Sequence, residues 1–189
     1  DDGAGNTRFA CVMIANAGAD AAGSWWLYNV SAADISDFLS NHTARIIDLD
    51  RYTIGGSTYY SAVMISDTGA NDRAWWWYYN ITADQVATHL SDNQARIVEL
   101  EPANTTTGTF NVVMQRDPGG SPHWWWYYGV TESFISSATD QNGARLIDVQ
   151  KYTTPAGTRY CCAMINNSNA LTTRIGDILR NGTDGVSGC

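Results

Sequence analysis

Four cysteines, six glycosylation sequons and three aromatic runs are the groups in this 189-residue sequence whose types and spacing could do chemistry. Cys11, Cys161, Cys162 and Cys189 contain no Cys-x-x-Cys pair, which argues against a zinc site. Their even number suits disulfides formed in an oxidising compartment. Cys161 and Cys162 are neighbours in a strand-like stretch, so they should face opposite sides and take different partners. Cys189 is expected to staple the C-terminal tail onto Cys161 or Cys162. Cys11 shares a repeat position with Cys162, and the two could meet only between molecules or in an array that curls closed; between neighbours Cys161 or Cys189 could take the place of Cys162. Buried free thiols are the purely structural alternative.

Asn-x-Ser/Thr sequons occur at Asn29, Asn41, Asn80, Asn104, Asn166 and Asn181. Chance alone would supply about two or three in a chain of this composition. Ser31 and Thr82 also have a structural reason to be present, as helix caps, which weakens the reading at Asn29 and Asn80. Asn41 and Asn181 both follow equivalent helical stretches, and Asn104 lies in a polar turn. Glycosylation of several of these places the chain in a eukaryotic secretory route.

The aromatic runs are Trp25-Trp26-Leu27-Tyr28, Trp75 to Tyr79 and Trp124 to Tyr128. Planar rings stack on sugars and cations, so Trp26, Trp77, Trp126, Tyr28, Tyr79 and Tyr128 are candidate ligand contacts. Consecutive aromatics also put rings on both faces of a strand, which a buried central strand uses without any ligand. Arg45, Arg96 and Arg145 recur at one repeat position and are expected to lie over these rings. Recurring acids at Asp48, Asp50, Glu99, Glu101 and Asp148 suit a solvated strand face better than a calcium site. His42, His89 and His123 fall at three different repeat positions and form no metal or triad set. No phosphate loop, Gly-x-Ser-x-Gly or His-Glu-x-x-His motif is present. The expectation is therefore no enzyme, no cofactor and no metal.

Composition narrows the partners. A net charge of −8 argues against a nucleic-acid surface, which needs cations for the phosphates. No apolar run reaches the roughly 20 residues of a membrane helix. The sequence starts at Asp1 without Met or an apolar leader, as after removal of a signal peptide.

These groups are positioned by an internal repeat. Met13, Met64, Met114 and Met164 are spaced 51, 50 and 50 apart, and each closes an apolar stretch opened by Phe9, Tyr60, Phe110 or Tyr160. An aromatic run follows, then a Ser/Thr cap, a helical stretch, and an Ala-Arg-Ile/Leu strand at Ala44, Ala95 and Ala144. The fold expected is α+β, a tandem repeat of ββαβ units of ~50 residues with antiparallel strands and helices on one face. One domain spans 1–189, with units at about 8–56, 57–107 and 108–157 and a truncated unit at 158–189. In that last unit the helix pattern returns as Ile175-Gly-Asp-Ile-Leu-Arg-Asn181, matching Ile35 to Asn41, while the aromatic strand is missing.

The succession Trp-Trp-Trp-Tyr-Tyr, Val-Thr, short helix, Ala-Arg-Leu-Ile-Asp-Val resembles the bacterial tandem repeat of many secreted proteins. It is also similar to the N-terminal domain of the fungal polyglycine hydrolases, over residues 8–182. The resemblance implies a secreted repeat domain without catalysis of its own, since in that family catalysis belongs to a separate domain resembling serine β-lactamases. The Ser-x-x-Lys motif of such a domain is absent, because the only lysine, Lys151, has Asp148 three residues before it.

Two functions follow as expectations. One is an extracellular structural protein that self-associates end to end, the truncated unit near Cys161 to Cys189 meeting the first unit near Asp1 to Ile14 of a neighbour because the strand at Arg159 to Asn167 is expected to have an unpaired edge. The other is a secreted recognition module that takes glycan or peptide on its aromatic strands.

Overall fold

The computed structural model describes residues 8–18, 21–117 and 123–167. Nine strands and three helices follow in the order β1 (Ser24–Val30), α1 (Ala32–Asn41), β2 (Ala44–Ile54), β3 (Ser57–Ser66), β4 (Trp75–Thr82), α2 (Ala83–Asn93), β5 (Ala95–Asn104), β6 (Thr109–Arg116), β7 (Trp124–Val130), α3 (Glu132–Asn142), β8 (Ala144–Thr154) and β9 (Gly157–Asn166). They form three antiparallel three-stranded sheets, ordered β1-β3-β2, β4-β6-β5 and β7-β9-β8. The chain divides into two compact units between Ala74 and Trp75. The first sheet belongs to one unit, and the second and third sheets belong to the other.

Local chemistry places each helix. Ser31 Oγ accepts from the Asp34 amide at 3.2 Å while Asp34 Oδ2 accepts from the Ser31 amide at 2.8 Å, a reciprocal cap. Thr82 and Gln85 repeat it at 3.3 and 2.9 Å. In the third helix Thr131 Oγ1 accepts from the Phe134 amide. Gln94 and Gly143 end α2 and α3 in the left-handed conformation, their amides returning to the last helical carbonyls. Each helix buries one short apolar stripe: Ile35, Val86 with Leu90, and Ile135 with Ala138.

The register repeats. Trp25, Trp76 and Trp125 pair with Met64, Met114 and Met164, so residues 24–28, 75–79 and 124–128 are equivalent strands, as expected. Arg45, Arg96 and Arg145 are likewise equivalent, opposite Ile65, Gln115 and Ile165. Each aromatic strand slips register before its end, between Leu27 and Val30, Tyr78 and Ile81, and Tyr127 and Val130. Asn29, Asn80 and Gly129 occupy this slip with φ of 54°, 55° and 67°, where Asn and Gly are the residues that fit at least cost.

Two expectations are corrected. The aromatic strand is an edge strand, not a central one, because it bonds only to the Met-containing strand. Each closed sheet also runs β-α-β-β in the chain, with the Met-containing strand last rather than first as the repeat pattern suggests. That strand closes the sheet of the residues before it. Arg159 to Ile165 is thus the middle of the third sheet, paired with β7 on one side and β8 on the other. Its edge is not open, and the contact expected there has no basis. The helix pattern at 175–181 lies outside the described residues.

The opposite holds at the start of the described chain. Residues 8–14, Arg-Phe-Ala-Cys-Val-Met-Ile, are a further copy of the central strand, yet residues 8–17 carry no helix or strand. Val12 is 97% exposed and Met13 84%, whereas Met64, Met114 and Met164 at the equivalent position are fully buried. Burial of such a side chain is worth about 1.5–3 kcal/mol, and truncating it leaves a cavity as well. Met114→Ala should therefore cost about 2–5 kcal/mol in denaturant unfolding, while Met13→Ala should change the monomer by less than about 0.5 kcal/mol.

Candidate functional site

The site begins with Phe9. Its ring meets Trp26, Tyr28 and Tyr52 edge-on at centroid distances of 5.5, 6.0 and 5.7 Å. These rings belong to the face of the first sheet away from α1. On the other face, Trp25 packs edge-on against Phe38 and His42 near the helix. Asn16 pins the segment's far end, donating through Nδ2 to the Ala22 carbonyl at 3.0 Å and accepting from the Ala22 amide at 2.8 Å. The outcome is an apolar segment anchored by Phe9 on an aromatic face, with Cys11, Val12, Met13 and Ile14 exposed.

The third sheet shows what this arrangement corresponds to. Phe110, on the central strand of the second sheet, meets Tyr128 edge-on at 5.3 Å and 64°. Phe9 meets Tyr28 at 63°. Phe9 and Phe110 share one repeat position, as do Tyr28 and Tyr128. At this repeat position a phenylalanine thus meets the equivalent tyrosine edge-on in both places.

The contact between the second and third sheets is specific. Asp148 Oδ2 accepts from the Leu100 amide at 2.8 Å, Cys161 Sγ donates to the Leu100 carbonyl at 3.1 Å, and Gln150 Nε2 bridges Asp148 Oδ1 and Glu99 Oε1 at 3.3 and 3.4 Å. Leu100 sits on β5, so an edge strand of one sheet is read by the face of the next. Glu99 and Glu101 are buried here, each 7% exposed. Burial pushes the Asp148 carboxyl up to about 6, against the opposing effect of the Leu100 amide and its neighbours. Asp48, its equivalent in the first sheet, is exposed.

The other expected residues fall as follows. Trp26, Trp77 and Trp126 with Tyr28, Tyr79 and Tyr128 lie on the faces away from the helices, and Trp26, Tyr28, Tyr79 and Tyr128 are about half exposed. Arg45 Nε reaches Asp67 Oδ1 at 3.6 Å and the Asn71 carbonyl at 3.3 Å, and Arg96 lies near Asp117. Acidic residues beyond the strand end, rather than rings, draw these two guanidiniums. Arg145, whose position beyond the strand end is taken by Asn167 in place of an acid, is exposed.

Cys11, Cys161 and Cys162 are free thiols, the latter two fully buried on opposite sides of β9. Cys161 joins the second sheet's core and Cys162 lies beneath α3. Burial raises both thiols, Cys162 to about 12, so neither is a ready thiolate. Cys189 and Asn181 lie outside the described residues. A bond from Cys162 to a neighbour's Cys11 would require opening this core.

Among the sequons, Asn29 and Asn80 hold the register slip. Tyr52 Oη accepts from the Asn29 amide at 2.8 Å and donates to its Oδ1 at 3.0 Å; Asn111 Oδ1 accepts from the Asn80 amide at 3.1 Å. Tyr152 takes this role at Gly129, accepting its amide at 2.8 Å. Neither tyrosine stood out in the sequence, although both fall at one repeat position. Asn41 and Asn104 are exposed, the first at the end of α1 and the second at the end of β5, where its Oδ1 accepts from the Thr106 and Thr107 amides of the following turn. Asn166 is half-buried, its Nδ2 directed at the Asn142 carbonyl at 3.4 Å.

Among the described residues no group of three or more His, Cys, Asp or Glu side chains is placed to hold a metal ion, and no helix is long and apolar enough to cross a membrane. No family model, curated protein or solved structure matches the chain.

The Asp148 environment makes stability depend on pH. The folded protein keeps this proton to about pH 6, whereas an unfolded aspartate releases it near pH 4. The native state binds the extra proton between these values, so stability should fall as pH rises from about 4 to 6 and level off above. Asp148→Asn should flatten that slope in thermal unfolding curves. An unchanged slope would place the titration elsewhere.

Proposed function

We propose that this chain is a non-enzymatic, extracellular structural repeat protein that self-associates end to end into linear oligomers or filaments. The observation carrying this reading is the segment 8–14. It has the sequence of a central strand, its Phe9 is docked on the first sheet's aromatic face, and Val12, Met13 and Ile14 face solvent. An exposed apolar segment of strand-forming sequence recruits another chain unless something blunts it. The acidic composition and the repeat's resemblance to secreted tandem-repeat domains support an extracellular setting, with no nucleic-acid or membrane partner.

Light scattering across a concentration series tests the association. The intact chain should grow in mass with concentration, and a variant lacking residues 8–14 should stay monomeric with its helices and sheets unchanged by circular dichroism. A monodisperse intact monomer at high concentration overturns the reading. Secretion predicts carbohydrate first at the exposed Asn41 and Asn104 and least at the half-buried Asn166. Peptide mass spectrometry before and after glycosidase treatment decides, and bare peptides at every sequon would exclude the glycosylated form.

A second reading draws on the exposed rings. Trp26 is 52% and Tyr28 51% exposed beside Phe9, an aromatic surface of the kind that stacks on sugars or peptides. A recognition module of this type would bind a glycan or peptide array through that face and lose binding with Trp26→Ala.

A further inference from the structure

We propose that the contact between the second and third sheets is a proton-operated latch: Glu99 and Asp148 hold one proton between them, and its loss lets the two sheets part while each stays folded.

Two carboxyl groups from different sheets meet here. Glu99 stands on β5, and Asp148 stands on β8 of the sheet that receives this edge strand. Both accept from one nitrogen, Gln150 Nε2, at 3.4 and 3.3 Å. Glu99 also hydrogen-bonds Asp148 directly. A carboxylate only accepts, so two carboxyl groups bond to each other only while one of them keeps its proton. Once both are ionised, two negative charges face each other where Glu99 is buried, and water screens them weakly.

The groups around Asp148 do not offset that repulsion. On its own strand it meets Gln150 and the Val149 amide, and on β5 it meets Glu99 and the Leu100 amide; no cation is among the groups that act on it. Cys161 and Cys162 on β9 lie nearby, and burial raises both thiols, so they stay neutral. Glu101, the next acid on β5, acts on Cys161 and brings a further carboxyl to the same contact. Burial pushes the Asp148 carboxyl up to about 6, so the proton is held in mild acid and lost near neutrality.

The repeat explains why acids converge here. Asp48, Glu99 and Asp148 share one repeat position, and Asp48, in the first sheet, is exposed. Two residues on, the copies read Asp50, Glu101 and Gln150. The third copy thus replaces an acid with the amide that donates to both carboxyls.

The bonds that the proton protects are separate from the ladders. Asp148 Oδ2 accepts from the Leu100 amide and Cys161 Sγ donates to the Leu100 carbonyl, both between sheets. The pairing of β5 with β6 and of β8 with β9 lies within each sheet. Parting the sheets breaks the first set and spares the second, so the Leu100 amide reports the latch directly.

Hydrogen exchange of the intact chain tests this. An opened contact returns Asp148 to water and to its ordinary range near 4. Protection of the Leu100 amide, corrected for the intrinsic pH dependence of exchange, should therefore fall by up to about 100-fold from about pH 4 to 7. Near pH 7 this amide should exchange faster than those of β6, and low urea that speeds theirs should leave it unchanged, as a local opening requires. Glu99→Gln and Asp148→Asn each remove one carboxyl and keep an acceptor for the Leu100 amide. Both should flatten the profile and keep that amide protected near pH 7, with circular dichroism unchanged. Three results overturn the latch. One is a flat wild-type profile. Another is Leu100 exchange that follows β6 in rate and urea response, since the sheets then part only on unfolding. The third is flattening by Asp148→Asn but not by Glu99→Gln, since Asp148 then holds its proton alone.

Discussion

The central strand of each sheet has to be bonded on both edges and covered on both faces, and the rest of the structure answers to that requirement. Its amides and carbonyls are taken up by an aromatic strand on one side and an Ala-Arg strand on the other. Its Met-bearing face lies under a helix. In the third sheet its other face lies against the second sheet, where Cys161 and Ala163 enter a shared apolar cluster. The aromatic strand, at an edge, needs large rings to cover what one neighbour leaves open. The helices need only a short apolar stripe, because the strand beneath them supplies most of the core.

Much of this was legible in the sequence. The methionine spacing revealed the repeat, Ser31, Thr82 and Thr131 marked the helix starts, and the recurrence of Arg45, Arg96 and Arg145 announced a common register. Phase was not legible. A cyclic series of strand, strand, helix and strand has no intrinsic beginning, and the choice of which Met-containing strand closes which sheet lies in hydrogen bonds between residues some forty apart. Edge and centre were confused for a similar reason: five aromatics in a row read as buried on two faces, while an unbonded outer backbone leaves no mark in side-chain pattern. Asn29 and Asn80 carry two signals in the same letters, a sequon and a left-handed slip, and Gly129 at the third copy is the residue that separates them.

The units differ most where they meet other things. Facing the helices, Met64, Met114 and Met164 are invariant across the repeats. On the opposite face one position reads Ser61, Asn111 and Cys161. Ser61 Oγ accepts from Trp26 Nε1 at 2.9 Å, Asn111 holds the Asn80 amide, and Cys161 donates to Leu100. The tyrosine clamp on the register slip is kept at Tyr52 and Tyr152, while the second unit does the same work with Asn111. A repeat under one packing rule on its helix side can therefore vary its other side.

Residues 8–14 invert that logic, since they keep the central strand's residues without the surroundings those residues serve. Burying an apolar side chain of this size is worth about 1.5–3 kcal/mol, and fixing a residue's backbone costs about 1–2 kcal/mol. For a free tail the two nearly cancel, and no stable contact follows. Here Phe9 already docks one end of the segment on the first sheet and Asn16 ties the other end to Ala22, so part of the ordering cost is met within one molecule. The gain from burying Cys11, Val12, Met13 and Ile14 is then left for whatever completes the sheet. An apolar segment pre-ordered in this way, with Val12, Met13 and Ile14 still exposed, is poised to bind.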